Sequence, residues 1–215
     1  EQVRPLIEGK NVLAMDLGQE LERAAKAVDL AYEGADVAVV SSGDTGIYGM
    51  AGPVFRVLVD RDWDGDRPSV EVFPGVSAMQ AAAALLGAPL MQDFCAISLS
   101  DLLTPWETIR RRLEAAAQGD FVVAIYNPRS RTRESQLEEA RNILLSHRPG
   151  NTPVGIVRNA YRPGQGVTLT DLQRLEGHLD SIDMVTVVLV GNSTSFEHQG
   201  RMVTPRGYPT KDSVG

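Results

Sequence analysis

The residues best suited to chemistry gather where apolar runs end. Val37-Ala-Val-Val40 leads into Ser41-Ser-Gly-Asp-Thr-Gly-Ile-Tyr-Gly49. Gly43, Gly46 and Gly49 let main-chain amides and carbonyls approach a ligand with no Cβ in between, and Asp44 adds one oriented charge. A strand that ends in such a turn and opens a helix suits a nucleotide-like cofactor. The same turn also serves purely structural ends, because a βα connection needs glycine for backbone reasons alone. A second group is basic. Arg129-Ser-Arg-Thr-Arg133 forms a local cluster able to bind an anionic small molecule, and equally able to pair with Glu134 and Glu138 in solvent. His147, His178 and His198 have no metal-ligand spacing, and no nucleophile–histidine–acid pattern stands out, so no metal is expected. Cys95 is the sole cysteine and sits in Phe94-Cys-Ala-Ile-Ser-Leu99, where it reads as a small core hydrophobe.

The elements that must position these groups alternate from end to end. Strands are predicted at Val37–Ser41, Val70–Phe73, Cys95–Leu99, Phe121–Tyr126, Val154–Arg158 and Met184–Val190. Leu21, Ala24, Ala25, Val28 and Ala31 follow the helical period, with Gly34 as the stop. Ser77-Ala-Met-Gln80 has the capping-box pattern ahead of an alanine-rich helix that Gly87 can end. Thr104-Pro-Trp-Glu107 predicts an N-cap threonine, proline at the first helical position and a helix to about Gly119. This alternation specifies an α/β protein with helices packed on mainly parallel strands. The polar segment Ser98–Thr104 is the expected boundary between a domain at 1–99 and a second at 100–215.

A chain of 215 residues, 43% of them apolar, can build one large or two small α/β domains. A net charge of −7 argues against non-specific nucleic-acid binding, which needs a basic stripe. No apolar stretch reaches the roughly twenty residues that span a bilayer, and nothing resembles a signal peptide, so no membrane partner and a soluble, cytoplasmic protein are expected.

Five segments in order carry a resemblance. They are Gly43-Asp-Thr-Gly-Ile-Tyr-Gly49, Phe73-Pro-Gly-Val-Ser-Ala78, Tyr126-Asn-Pro-Arg-Ser130, Val157-Arg-Asn-Ala-Tyr-Arg-Pro-Gly-Gln165 and Thr186-Val-Val-Leu-Val-Gly-Asn-Ser193. Together they resemble the tetrapyrrole (corrin/porphyrin) methylases, S-adenosylmethionine-dependent enzymes of cobalamin and sirohaem synthesis. The wording of Ser41–Gly52, Tyr126–Ser130, Val157–Ala160 and Met202–Tyr208 is similar to the branch that methylates precorrin-3B at C17 and contracts its ring. Family members open with a strand and a Gly-x-Gly-Pro-Gly loop. This chain begins at Glu1 with no such sequence, so its first βα unit is expected to be missing.

The resemblance implies two αβα domains of the class III methyltransferase type, with the active site in the cleft between them. It places Gly43, Asp44, Thr45, Ile47, Ser77, Ala78, Tyr126, Asn127, Ala160 and Thr186 at the cofactor, S-adenosylmethionine, whose product is S-adenosylhomocysteine. Arg129, Arg131, Arg133 and Arg158 are the candidates for the carboxylates of the tetrapyrrole substrate, with Arg162 and Arg206 behind them. Ring contraction implies acid–base help, for which Asp44, Asp101, Tyr126 and His198 are the nominees. A homodimer is implied by the family. Whether the substrate already carries cobalt stays open. So do a related methylase acting at another carbon, a macromolecular substrate, and a non-catalytic nucleotide-binding regulatory module.

Overall fold

The computed structural model describes residues 3–16 and 18–208; Glu1, at the expected truncated start, lies outside them. The chain divides into two compact units, Glu1–Ser77 and Ala78–Gly215.

In the first unit the described elements are a short 3₁₀ turn at Arg4–Leu6 and the helices α1 (Glu20–Tyr32) and α2 (Ala51–Asp60). The helical period predicted from Leu21 onward forms α1, which buries Ala24 and Val28. Its end follows from Gly34, whose φ of 95° frees Ala35 N–H to reach the Leu30 carbonyl at 3.0 Å and Gly34 N–H to reach that of Ala31 at 3.0 Å. Met50, Val57 and Leu58 of the α2 region pack on the α1 face, and Arg61 pairs with Asp29 across the two helices. The strands predicted at Val37–Ser41 and Val70–Phe73 are not formed among the described residues. An apolar run becomes a strand only when another strand completes its ladder, and Val37, Val40, Val72 and Phe73 are left exposed.

The second unit opens with α3 (Ala78–Leu86), β1 (Gly87–Ala88) and β2 (Phe94–Ser98). It continues with α4 (Trp106–Gln118), β3 (Val122–Tyr126), α5 (Gln136–Leu145), β4 (Pro153–Arg158) and β5 (Gly166–Asp171). A 3₁₀ segment at Arg174–Ser181 precedes β6 (Thr186–Val190), β7 (Phe196–His198) and β8 (Arg201–Val203). The main sheet has five strands in the order β2-β3-β6-β4-β5. Within this sheet only β2 and β3 pair in parallel; β3–β6, β6–β4 and β4–β5 are antiparallel. The expectation of a mainly parallel sheet is therefore corrected. The short link from β4 to β5 closes a hairpin, whereas a parallel neighbour needs a crossover of about a dozen residues or more. β5 itself went unpredicted.

Both faces of this sheet are covered, so its inner strands read as unbroken apolar runs. Val123 and Ile125 of β3, with Val188 and Val190 of β6, face the cluster that holds α4 and α5. The alternate residues Ala124, Tyr126, Val187 and Leu189 face α3. Small residues on that side admit the helix: a Cβ at Gly155 would lie 2.2 Å from Leu86 Cδ1. A second sheet of three strands, β1-β8-β7, closes through the left-handed pair Gln199 (φ 49°) and Gly200 (φ 71°), which suits a tight hairpin.

The division at Ser77/Ala78 falls before the polar segment Ser98–Thr104 because β2 is hydrogen-bonded to β3. The cap of α4 also differs from expectation. Pro105 has ψ 137° and is itself the N-cap, so the helix starts at Trp106 and Thr104 lies outside it. The C-terminus comes at Gly119, as predicted.

A buried arginine ties these layers. Arg148 is 5% exposed and donates to the carbonyls of Gly191 (2.6 Å), Ala116 (3.1 Å) and Phe121 (2.6 Å). Arg148→Met nearly keeps the volume but removes one donor from each of three carbonyls, of which Ala116 retains Phe121 N–H. It should lower unfolding free energy by about 3 kcal/mol or more, measured by chemical denaturation; unchanged stability would show that the clamp contributes nothing net.

Candidate functional site

In the first unit the glycine-rich turn is held by Asp44. Its Oδ1 accepts the N–H groups of Gly46 (2.8 Å) and Ile47 (3.1 Å), while Oδ2 accepts that of Gly75 at 2.9 Å. The carboxylate thus joins the 43–49 turn to the Pro74-Gly75 turn. Thr45 Oγ1 adds a bond to the Phe73 carbonyl at 3.2 Å. Approach is so close that a Cβ on Gly75 would lie 2.2 Å from the Gly43 oxygen, and one on Gly49 2.6 Å from the Asp44 and Thr45 oxygens. The amides of Gly75, then Gly46, then Ile47 hold the Asp44 carboxyl below its ordinary range against a smaller opposing effect of burial. Because the folded value is depressed, this support is complete above the ordinary Asp pKa of about 3.9 and is lost as pH falls through the folded value.

The Asp44 carboxylate is engaged by three amides, and what faces solvent around it is the backbone of Gly43 and Gly46 with the exposed Ile47 side chain. Gly75, which makes the tie possible, was missed as a partner because nothing local to Asp44 points to it.

In the second unit the register gathers the predicted residues on one sheet edge. β2, β3 and β4 all end where β5 and β6 begin, with Ser98 opposite Tyr126 and Arg158 opposite Thr186. Tyr126 and Asn127, Arg158 to Ala160, and Thr186 therefore share that edge. Three non-glycine residues there are left-handed: Asn127 (φ 49°), Asn159 (φ 48°) and Tyr161 (φ 56°). Such conformations persist only where surroundings over-determine them, and they concentrate at ligand sites. Tyr126 is buried, and its hydroxyl accepts Met79 N–H at 2.9 Å in the first turn of α3. Asn127 Nδ2 donates to Ser98 Oγ at 2.9 Å, a contact whose only sequence signal is a serine at a strand end.

The arginines go to different surroundings. Arg131 is exposed; Arg129 Nη1 pairs with Asp180 at 3.0 Å; Arg133 is buried, its Nε donating to the Asn127 carbonyl at 3.1 Å. They do not form one basic patch. Arg158 is met by Asp183, whose Oδ2 accepts from Nε and Nη2, each at 2.9 Å. Burial would raise the Asp183 carboxyl, but bonds from Thr186 and Arg158, then Val185 N–H, outweigh it and the net shift is downward. Thr186 Oγ1 donates to Asp183 at 2.8 Å, so this threonine serves an internal tie. Asp183 was not predicted; the Asp-x-Val-Thr spacing that lets it take the Val185 and Thr186 donors was its signal.

Of the remaining nominees, His198 and Arg206 lie apart from that edge. Asp101 is exposed and accepts from Gln136 Nε2 at 2.8 Å. His198 lies on exposed β7 in the three-stranded sheet, and Arg206 reaches the Met91 carbonyl at 3.5 Å. Arg162 and Ala160 stay in the loop after β4, Ala160 packed on the α3 cluster. Cys95 is partly buried against the α4–α5 core, and burial raises its thiol pKa. Among the described residues no group of His, Cys, Asp and Glu could hold a metal ion, and no helix is long and apolar enough to cross a membrane.

Comparison with known proteins supplies the family. Residues 1–176 match the family described as Tetrapyrrole (Corrin/Porphyrin) Methylases. The cobalt-factor III methyltransferase of Priestia megaterium is 49% identical over 98% of this chain, which spans 39% of that relative's length. The probable cobalt-factor III C(17)-methyltransferase of Salmonella typhimurium is 47% identical over 93% of this chain and 80% of its own. Among solved structures, the methyltransferase CobJ superposes with a TM-score of 0.83 at 40% identity, covering 92% of this chain and 82% of that one. With the fold and the order of its strand-end segments in agreement, the chain belongs to the tetrapyrrole (corrin/porphyrin) methylases.

Proposed function

We propose that the chain methylates precorrin-3B, or its cobalt form cobalt-factor III, at C17 with ring contraction, in cobalamin biosynthesis. The observation that carries this reading is the similarity to the Salmonella typhimurium relative along most of both chains. The methyl donor is S-adenosylmethionine and the product S-adenosylhomocysteine. When bound, that cofactor supplies an electrophilic methyl group on a sulfonium, so displacement by a substrate carbon needs no nucleophile from the protein.

The chain's own residues then have to bind, orient and exclude water. Good positioning alone can lower a barrier by about 7 to 11 kcal/mol in favourable intramolecular systems. Gly43, Thr45 and Ile47 offer a rigid main-chain rim, kept in shape by Asp44. Ser77 and Ala78 follow the Gly75 turn, and Asn127 and Ala160 stand at the strand ends of the five-stranded sheet. These groups fit a neutral adenosine and an amino-acid tail held largely through backbone contacts. Tyr126 and Thr186 contribute by bracing α3 and Asp183. Arg129 and Arg131 suit the substrate's carboxylates through planar guanidinium contacts. A cytoplasmic homodimer belongs to the same reading.

Incubation of the full chain with S-adenosylmethionine and either tetrapyrrole should yield a product heavier by one methyl group in mass spectrometry; no methyl gain with either would overturn the reading. Asp44→Asn has one acceptor oxygen where Asp44 has two, so it cannot serve both the 46–47 amides and Gly75. It should speed amide exchange at Gly46, Ile47 or Gly75 and weaken S-adenosylhomocysteine binding severalfold, against no change if the tie is dispensable. Replacing Arg129 and Arg131 together with glutamine should raise the tetrapyrrole KM about tenfold, the loss of roughly one charge-assisted hydrogen bond, with cofactor affinity unchanged. An unchanged KM would leave Arg129 to its pair with Asp180 and Arg131 to solvent.

A further inference from the structure

Arg133 follows Arg129 and Arg131 at alternate positions, yet its side chain is turned inward and only 7% exposed. A guanidinium that binds substrate carboxylates has to face solvent. This one instead donates through Nε to the Asn127 carbonyl at 3.1 Å, while Nη2 lies 3.3 Å from Met184 Sδ. Its main chain closes the loop as well, with Ser130 N–H to the Arg133 carbonyl at 3.0 Å and the reverse bond at 3.3 Å.

The group it holds is the left-handed corner that ends β3. Asn127 has φ 49°, a left-handed conformation that asparagine tolerates better than other non-glycine residues and that local contacts here fix. Its side chain is held by Ser98 Oγ at 2.9 Å. Its carbonyl accepts from the Arg133 guanidinium through Nε. Two restraints, one on the side chain and one on the main chain, thus hold the corner.

We propose that Arg133 is a positioning residue for the cofactor rather than a substrate-binding one, acting by fixing the Asn127 corner on which S-adenosylmethionine docks. This role rests on the methyltransferase reading above. It predicts a specific split between ligands, because a loosened corner costs cofactor affinity and leaves carboxylate recognition intact.

The test titrates S-adenosylhomocysteine into the full chain by calorimetry and measures the tetrapyrrole KM. Arg133→Met fills the same volume without a donor and should weaken S-adenosylhomocysteine binding about tenfold, the fold-change expected for one charge-assisted bond, with the tetrapyrrole KM unchanged. Arg133→Lys keeps the charge on a single donor nitrogen but not the planar fork whose separate nitrogens reach both Asn127 and Met184. It should fall between, at about a threefold loss, and it carries the test by itself if the methionine variant does not fold. Wild-type cofactor affinity in either folded variant overturns the role, as does a raised tetrapyrrole KM with cofactor affinity intact. If the unaltered chain fails to bind S-adenosylhomocysteine, the function reading itself falls and this role with it; binding that the variants do not alter rejects the role alone.

Discussion

The pairing of β6 with both β3 and β4 is the constraint on which the second unit depends. β6 lies between the other two and antiparallel to each, so the carboxyl ends of β3 and β4 and the start of β6 fall on one edge. A slip of one residue would turn every β6 side chain to the opposite face and separate Val188 and Val190 from the α4–α5 core. The same slip would take Thr186 away from Arg158. Core packing and site assembly are therefore enforced by one set of main-chain hydrogen bonds.

A second theme is the use of carboxylates as internal fasteners. Asp44 gathers three amides, Asp183 gathers a hydroxyl, an amide and a guanidinium, and Asp120 accepts from the main chain and side chain of Ser193. Each holds a bend whose geometry sterics alone would not keep. Around Asp44 and around Asp183, each within its own unit, what results is ordered backbone. That is consistent with a reaction in which orientation, more than an acid or base of the protein, carries the methyl transfer.

Legibility tracks how local the cause is. The α1 stop was readable because Gly34 and the apolar period are neighbours in sequence, and β3, β4 and β6 were readable because burial on both faces makes them continuously apolar. β5 is an edge strand with its first half exposed, so Gly166–Asp171 carries little apolar signal. Val37–Ser41 carries the signal without a partner strand among the described residues, and partners are a tertiary property. At the site, the glycines and Asp44 were visible as a turn, but not the Gly75 amide that occupies Asp44 Oδ2. The three spaced arginines look equivalent in sequence; only packing shows that Arg133 faces Asn127 while Arg131 faces solvent.

In the function proposed above, the edge where β3 and β4 end is the one that holds the cofactor. Amide hydrogen exchange of the full chain with and without S-adenosylhomocysteine tests it. Residues 126–127 and 158–160 should exchange more slowly with the ligand present, while the three-stranded sheet of β1, β8 and β7 is unaffected. Protection absent from that edge, or confined to the three-stranded sheet, would contradict a cofactor site there.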